Sequence, residues 1–379
     1  LEGTGLPNSD RIANVGMAGR GPGSDNLEEF WNAIMSKQDL CRELPKDRFD
    51  IDEFYCEKHN DTCTTTTRFG CFMDKPGNFD SRFFHVSPRE ALLVDPGHRQ
   101  FLMSAYEALE VAAYSDGADG QTRAVDPKII AAFYGQANDD WHMVSHYTLG
   151  CDAYTLQGAQ RAFGAGQIAY HFGWEGPTYS LDSACASSAS ALHLACMSLL
   201  TKDIYMAVAG GANITNYSHS WTSLSKSGVL SDTGNCKTYQ DDADGYCRAD
   251  YVGSIVVKRL EDAVAQNDNI LAVVAGSGRN HSGNSTSITA SDAAVQERLF
   301  EKVLRNARIS PQDISYVETH GTGTQIGDPA EMGAVTKSFK HRKGIEPLVV
   351  EGVKANIGHS EAATGMAELL KCLMMLQVC

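Results

Sequence analysis

An α/β fold built on a largely parallel sheet covered on both faces by helices is predicted by three features of the sequence. Short apolar runs ending in glycine or asparagine, such as "KIIAAFYG" and "IYMAVAGGAN", alternate with stretches of helical spacing over most of the 379 residues. Parallel strands need crossover connections, and the crossing helices bury their apolar stripes on the sheet. The composition, 42% hydrophobic and 21% charged without a sharp linker, describes one large domain or two intimate halves and not a disordered chain.

The elements follow in order. After a polar lead over residues 1–10, "RIANVGMAGRGPGSDNLEEFWNAIM" reads as a short strand, a Gly/Pro-rich turn and an amphipathic helix. Asn14 weakens that strand, and the glycines at 16, 19, 21 and 23 miss the G-x-G-x-x-G register, so they are read as turn chemistry and not as a phosphate cradle. "DTCTTTTRFG" is a short loop or edge strand. "SPRE" from Ser87 has the form of a capping box with Pro88 at the first helical position, and "DPGHRQFLMSAYEALEVAAY" continues with helical spacing. "SIVVKRLEDAVAQ" is a strand running into a helix, "ILAVVAGSG" a further strand, and "SDAAVQERLFEKVLRNARI" a helix with apolar residues at i, i+3 and i+4. The last pattern, "GMAELLKCLMMLQVC", is apolar and helical and stops without a glycine cap, so the chain is expected to be a fragment cut inside its domain.

Several function classes are disfavoured by charge and cysteine usage. With 32 basic against 47 acidic residues the net charge is -15, which opposes broad attraction to nucleic acid or an anionic membrane. The basic run from Lys340 to Lys343 is read as a solvated loop, with docking of an acidic partner as the alternative. Eleven cysteines at irregular spacing, with no C-x-x-C pair, match neither a secreted disulfide framework nor a zinc ribbon, so reduced thiols and a cytoplasmic location are expected. The N-terminus lacks a basic-then-apolar signal, and Glu368 and Lys371 interrupt the apolar C-terminal stretch, so no membrane span is expected.

Reactive groups in open parallel sheets collect beyond the carboxyl ends of the strands, and three strand-to-helix junctions carry a nucleophile or an imidazole. In "PTYSLDSACASS" the strand feeds a small-residue helix at Cys185, where free N–H groups and the helix dipole favour a thiolate; the expected result is a depressed thiol pKa. That helix is expected to be buried all round, and Cys196 within it to be a structural thiol, which is also how Cys185 reads if taken alone. In "ISYVETHGTGTQIGDPAEMGAV" a strand ends at His320 beside an open glycine-rich loop, and Asp328, Pro329 and Glu331 match an N-cap, a first-turn proline and a third-position acid. In "LVVEGVKANIGHSEAATGMAELLKCLMML" a strand leads to Lys354 and His359 and then to an apolar helix, on which Glu361 and Glu368 are expected to share a face. Glu368 in an apolar run needs a partner, with Lys354 the nearest candidate, either as a structural ion pair or as part of a proton relay.

"DSACASS", "ETHGTGTQIGD" and "VKANIGHSEAATG" together resemble the active-site motifs of the beta-ketoacyl synthases, condensing enzymes of the thiolase-like family. The resemblance extends from "VGMAGRGPG" through "DPGHRQFL" to the end, and "GNCKTYQDDADGYCRADYVGSIVVKRL" is most similar to the ketosynthase domain of fungal iterative, non-reducing polyketide synthases. It implies a layered fold of two similar halves with mainly parallel mixed sheets and buried helices. The ketosynthase domain would run over residues 11–379, with an N-terminal half of about 11–260 carrying the nucleophile and a C-terminal half of about 261–379 carrying both histidines. The closing strands and a Gly-Phe-Gly turn that helps form the oxyanion hole would lie beyond Cys379.

The resemblance assigns Cys185 as acyl-accepting nucleophile, His320 and His359 as paired imidazoles, Lys354 and Glu368 as a supporting pair, and Thr322 and Thr324 as contacts of a phosphopantetheine arm. Ala186 stands where the family usually has serine. No metal and no bound cofactor are implied, since the substrates arrive on the phosphopantetheine of an acyl carrier protein. Carrier and acyltransferase domains of the same synthase and a second copy of the chain are the implied partners. Rival readings are a degradative thiolase, which needs a second catalytic cysteine, a cysteine hydrolase, which gives no reason for two histidines, and a non-catalytic docking or dimerisation module.

Overall fold

The computed structural model of the chain describes residues 7, 10–58, 63–115, 126–340, 342 and 346–378. Of the polar lead over residues 1–10, and of the basic run at 340–343, only part lies within these residues; there the Arg342 guanidinium is bound by the main-chain oxygens of Pro311 and Glu346, at 2.9 Å each.

β1 (Ile12–Arg20) is nine residues long, and the turn is confined to Gly21–Ser24. Gly16 and Gly19, expected in the turn, therefore lie in the strand, because β1 stays paired with β8 as far as Arg20, apart from the slip at Val15. Asn14 does disturb it, at the point where the register slips between Asn14 and Gly16. α1 (Leu27–Met35) starts where the Asn26 side chain accepts the Glu29 N–H at 2.9 Å. β2 (Arg42–Glu43) and β3 (Phe69–Cys71) follow. α2 (Pro88–Leu93) is capped by Ser87 and α3 (Pro96–Val111) by Asp95, each with proline at its start. Then come β4 (Ile130–Gly135), α4 (Asp140–Val144), α5 (Thr155–Ala159) and α6 (Ala162–Phe172). β5 (Thr178–Leu181), α7 (Ser187–Leu200), β6 (Met206–Asn213) and α8 (Ser218–Lys226) lead to β7 (Arg248–Ala249), β8 (Tyr251–Arg259) and α9 (Leu260–Ala265). The rest comprises β9 (Ala272–Val274), α10 (Ala293–Ala307), β10 (Tyr316–Glu318), α11 (Gly327–Ser338), β11 (Val349–Glu351), α12 (Lys354–Ile357) and α13 (Thr364–Val378).

Six strands form one sheet in the order β5-β4-β6-β8-β1-β9. The sheet is mixed and less parallel than strand–helix alternation alone predicts. β5, β4 and β6 are parallel, but β8 is antiparallel to both β6 and β1, and β9 to β1. The connection from β6 to β8 is a long excursion through α8 and β7 and not a simple crossover helix, so the chain returns in the opposite direction.

Side chains alternate across this sheet with period two. Ile130, Ala132 and Tyr134 of β4 join one core with Phe101 and Leu102 of α3 and Ile168 of α6; Ala131 and Phe133 join the other with Ala191 and Leu199 of α7 and Met366 and Leu370 of α13. Burial on both sides is why these strands read as continuous apolar runs. On its opposite side α13 turns Lys371 to the parallel pair β10–β11, where the ammonium binds Glu318 at 2.8 Å and Glu351 at 3.2 Å. α13 thus lies between the large sheet and the small one. α7 packs beside it but is not buried all round, since Met197 and Leu200 are exposed; Cys196 is buried, as expected. Among the described residues no helix is long and apolar enough to cross a membrane, and the described cysteines are free thiols.

Candidate active site

Cys185 sits in the tight connection between β5 and α7. Ala184 before it takes a left-handed conformation with φ of 51°, a strained choice for a residue with a side chain, and the turn is over-determined by hydrogen bonds. The Ser187 hydroxyl donates to the Ala184 carbonyl at 2.6 Å and accepts from the Ser183 N–H at 2.9 Å, while Asp182 accepts from the Ala184 N–H at 3.0 Å. Gly135 at the end of β4 lets α7 close on the sheet, because a Cβ there would lie 2.6 Å from the Ser188 nitrogen.

His320 follows β10, and its position is set by main chain. Its own N–H donates to Glu331 Oε1 at 2.6 Å, and the Gly321 N–H to Glu331 Oε2 at 2.8 Å. His359 lies after α12, its N–H donating to the Cys247 carbonyl at 2.7 Å and its carbonyl accepting from the Ala249 N–H at 2.8 Å. Cys185, His320 and His359 each bring one side-chain donor atom to within 4.8 Å of the others, and the two imidazoles stand 5.4 Å apart at 84°. Soft metals favour such a donor set.

The tautomer of His359 is determined by its neighbours. Nδ1 accepts the Glu361 N–H at 2.8 Å, so the ring proton resides on Nε2. That Nε2 is buried without a protein partner among the described residues. The result is a fixed N–H donor held in reserve at the site. Burial, and next the nearby Lys354 ammonium, push the His359 imidazole well below the ordinary histidine range. The same two causes lower His320, whose side chain is 47% exposed and so feels them less, and both rings are neutral at pH 7.

Lys354 opens α12 and is 1% exposed; its Nζ binds Glu368 Oε1 of α13, the partner expected from the sequence. Burial raises the Glu368 carboxyl to about 7 against the opposing pull of Lys354, and Glu368 Oε1 also lies 3.9 Å from His320 Nδ1. Glu368→Gln leaves that ammonium without its counter-charge, and we expect a stability loss on the order of 3 kcal/mol in urea unfolding.

Thr322 and Thr324, 3.2 Å apart through their hydroxyls, line a cavity of about 470 Å³ with Cys185, His320 and His359. All seven residues singled out from the sequence thus fall in one neighbourhood. Three expectations about it need correction. Asp328 is not the helix cap: α11 starts at Gly327, two residues earlier than expected, and the Asp328 carboxylate accepts from the Gly323 N–H at 3.1 Å and the Tyr239 N–H at 2.8 Å, bracing the glycine-rich loop. Glu361 does not share a helical face with Glu368. It lies in a separate 3-10 turn before α13, with φ of 45°, and pairs with buried Arg248 at 3.3 Å and the Tyr246 hydroxyl at 3.0 Å.

The third correction concerns the thiol. Cys185 was expected below the ordinary thiol value, but burial, followed by the Glu361 charge, pushes it up to about 12. α7 begins only at Ser187, so the sulfur precedes the first helical turn and gains little from the dipole, while Lys354 and its own N–H act the other way without prevailing. At rest the Cys185 sulfur is a thiol. Alkylation of Cys185 by iodoacetamide is therefore expected to accelerate roughly tenfold per pH unit from pH 7 to 9.5. A plateau near pH 8.5, read by peptide mass spectrometry, would contradict it.

Sequence reading missed Tyr246 and Arg248, and it took Glu331 for a capping acid where the carboxylate instead holds the His320 and Gly321 main chain. Tyr246 packs 4.5 Å from the His359 ring, and the Arg248 guanidinium is 5.4 Å from the Trp221 ring.

Comparison with known proteins fits this geometry. The family model described as "Beta-ketoacyl synthase, N-terminal domain" matches residues 9–263, and "Beta-ketoacyl synthase, C-terminal domain" matches residues 271–378. The chain is 77% identical over 97% of its length to the non-reducing polyketide synthase hmp3 of Hypomyces subiculosus, and 74% identical over 97% to the non-reducing polyketide synthase ZEA1 of Gibberella zeae. It spans 18% of the length of each of these relatives. Among solved structures, the ketosynthase from module 6 of the bacillaene synthase of Bacillus subtilis 168 superposes at 34% identity and 96% coverage of this chain, with a TM-score of 0.87 and 61% of that chain covered for its single-residue mutant, and 0.85 and 60% for the unmutated form.

Proposed function

The chain belongs to the beta-ketoacyl synthase family, and from that premise we propose that it performs the decarboxylative Claisen condensation of a non-reducing polyketide synthase. The observation that supports this reading most directly is the unpartnered Nε2–H of His359 beside the thiol of Cys185.

The Cys185 sulfur attacks the acyl thioester of a carrier protein, forming a new carbon–sulfur bond and expelling the carrier thiol. The proton of Cys185 ends on that leaving thiol, with neutral His320 placed to pass it. The Cys185 main-chain N–H steadies the tetrahedral oxyanion. Malonyl carrier then enters and its terminal carbon–carbon bond breaks. Carbon dioxide departs, and the electron pair becomes an enolate on the thioester oxygen, stabilised by one N–H from each neutral imidazole. The enolate carbon attacks the acyl-Cys185 carbonyl, the sulfur leaves, and the chain is two carbons longer.

The cavity with Thr322 and Thr324 suits the phosphopantetheine arm, a substrate carrier and not a resident cofactor. Carrier and acyltransferase domains are the proposed partners, in keeping with the small share of the relatives that this chain spans. The edge strand β5, with Thr178 and Tyr179 exposed, fits pairing with a second copy, and a cytoplasmic setting is proposed with it. The test is mass spectrometry after exposure of the full-length protein to an acyl thioester. An acyl mass shift on the Cys185 peptide is expected; condensation without that adduct would overturn the assignment.

A further inference from the structure

The small sheet β2-β3-β7 assembles three thiols directly behind His359. Arg42 pairs with Gly70, which sets Cys41 opposite Cys71 one step further along the antiparallel ladder. β3 pairs in parallel with β7, Gly70 with Arg248 and Cys71 with Ala249, which brings Cys247 alongside. The Cys41 and Cys247 sulfurs are 3.7 Å apart. On the far edge of β7, Arg248 bridges to His359. Cys247 and His359 thus both sit against β7, and the main-chain bonds of His359 go to Cys247 and Ala249.

We propose that Cys41 and Cys247 form a peroxide-driven disulfide that displaces His359 and switches off the site, a modification distinct from acylation of Cys185. Access and reactivity are divided between the two sulfurs. Cys41 is partly exposed, whereas Cys71 and Cys247 are each 2% exposed. Hydrogen bonds from the Cys247 and Cys71 thiols hold the Cys41 thiol well below its ordinary value, so the accessible sulfur is also the nucleophilic one. It attacks the peroxide: a sulfur–oxygen bond forms, the oxygen–oxygen bond breaks, and one water leaves. The Cys247 sulfur then displaces the second oxygen from the Cys41 sulfenic acid as water. Two thiols lose one electron each with their protons, and the peroxide is reduced to two waters.

The bond requires the sulfurs to close by roughly 1.6 Å to reach disulfide length. That closure draws on the strand holding His359. Gly358 transmits it, because this residue takes a φ of 74° and a Cβ there would stand only 3.0 Å from Cys71 Sγ and 2.9 Å from the Cys247 carbonyl. The segment before Cys41 is tied to the helix of Lys354 as well, through the Leu40 N–H to the Asn356 carbonyl at 3.1 Å.

The test treats the full-length protein with hydrogen peroxide, blocks remaining thiols and maps linked peptides, an arm that does not depend on the proposed condensation. A Cys41–Cys247 linked peptide is expected; its absence, or linkage of Cys41 to Cys71 instead, overturns the proposal. The activity arm rests on the condensing reading. Wild type should lose at least tenfold in condensation and recover it with dithiothreitol, while Cys41→Ser should keep its activity within twofold at the same peroxide dose. Equal inactivation of both proteins would place the damage at Cys185 and overturn the switch.

Discussion

Cys185→Ala is expected to lose condensation by at least about 10⁴-fold while still releasing carbon dioxide from malonyl carrier, because the two half-reactions use different groups. The sulfur alone stores the acyl chain, and no neighbouring side chain replaces it: Ala184 and Ala186 flank it, and Ser187 is committed to the turn through the Ser183 N–H and the Ala184 carbonyl. The enolate donors, by contrast, do not depend on it. His359 is held by Cys247, Ala249 and Glu361, and His320 by Glu331. Removing one sulfur opens a small space and leaves those bonds in place. Product formation and carbon dioxide release should be followed in parallel, with circular dichroism confirming the fold. Loss of both activities to the same degree in a folded variant would mean that Cys185 also organises the decarboxylating donors.

What could be read from the chain, and what could not, divides along physical lines. The three junctions were legible because strand ends, capping patterns and glycine loops are local in sequence, and the pairing of Lys354 with Glu368 followed from the cost of an isolated charge in an apolar helix. Glu361 was misplaced because spacing of seven implies a shared face only if the helix is continuous, and here a 3-10 turn intervenes. The direction of the Cys185 shift was missed for another reason. A helix dipole can be inferred from a sequence, but the desolvation that overcomes it belongs to a cavity built by Tyr246, His320 and His359, each from a different part of the chain. The thiol cluster was invisible on the same grounds, since Cys41, Cys71 and Cys247 become neighbours only through the strand order β2-β3-β7. Sheet direction was likewise underdetermined: an apolar strand such as β8 looks the same whether it runs with β6 or against it.

The second large effect is expected at His359. His359→Ala should slow malonyl decarboxylation about a hundredfold, the consequence of losing one preorganised donor worth roughly 3 kcal/mol to the enolate, while acylation of Cys185 stays within about threefold of wild type. The asymmetry follows from the tautomer. With Nδ1 occupied by the Glu361 N–H, the ring has no free lone pair to accept the thiol proton, so its contribution is donation from Nε2 alone. His320→Ala should also damage decarboxylation more than transacylation. The pH dependence provides an independent check on the same claim. Because burial and Lys354 depress the His359 imidazole and lower that of His320, decarboxylation should not rise through about pH 6.5 with the histidines; a step near pH 7, if seen, belongs to the Glu368 carboxyl, raised to about 7 beside them, and should disappear in Glu368→Gln. His359→Gln, which can present an amide N–H, should recover part of the decarboxylation rate that alanine loses. Stopped-flow acylation that fails in His359→Ala would require the imidazole to act as a base, and the division of labour between sulfur and rings would not stand.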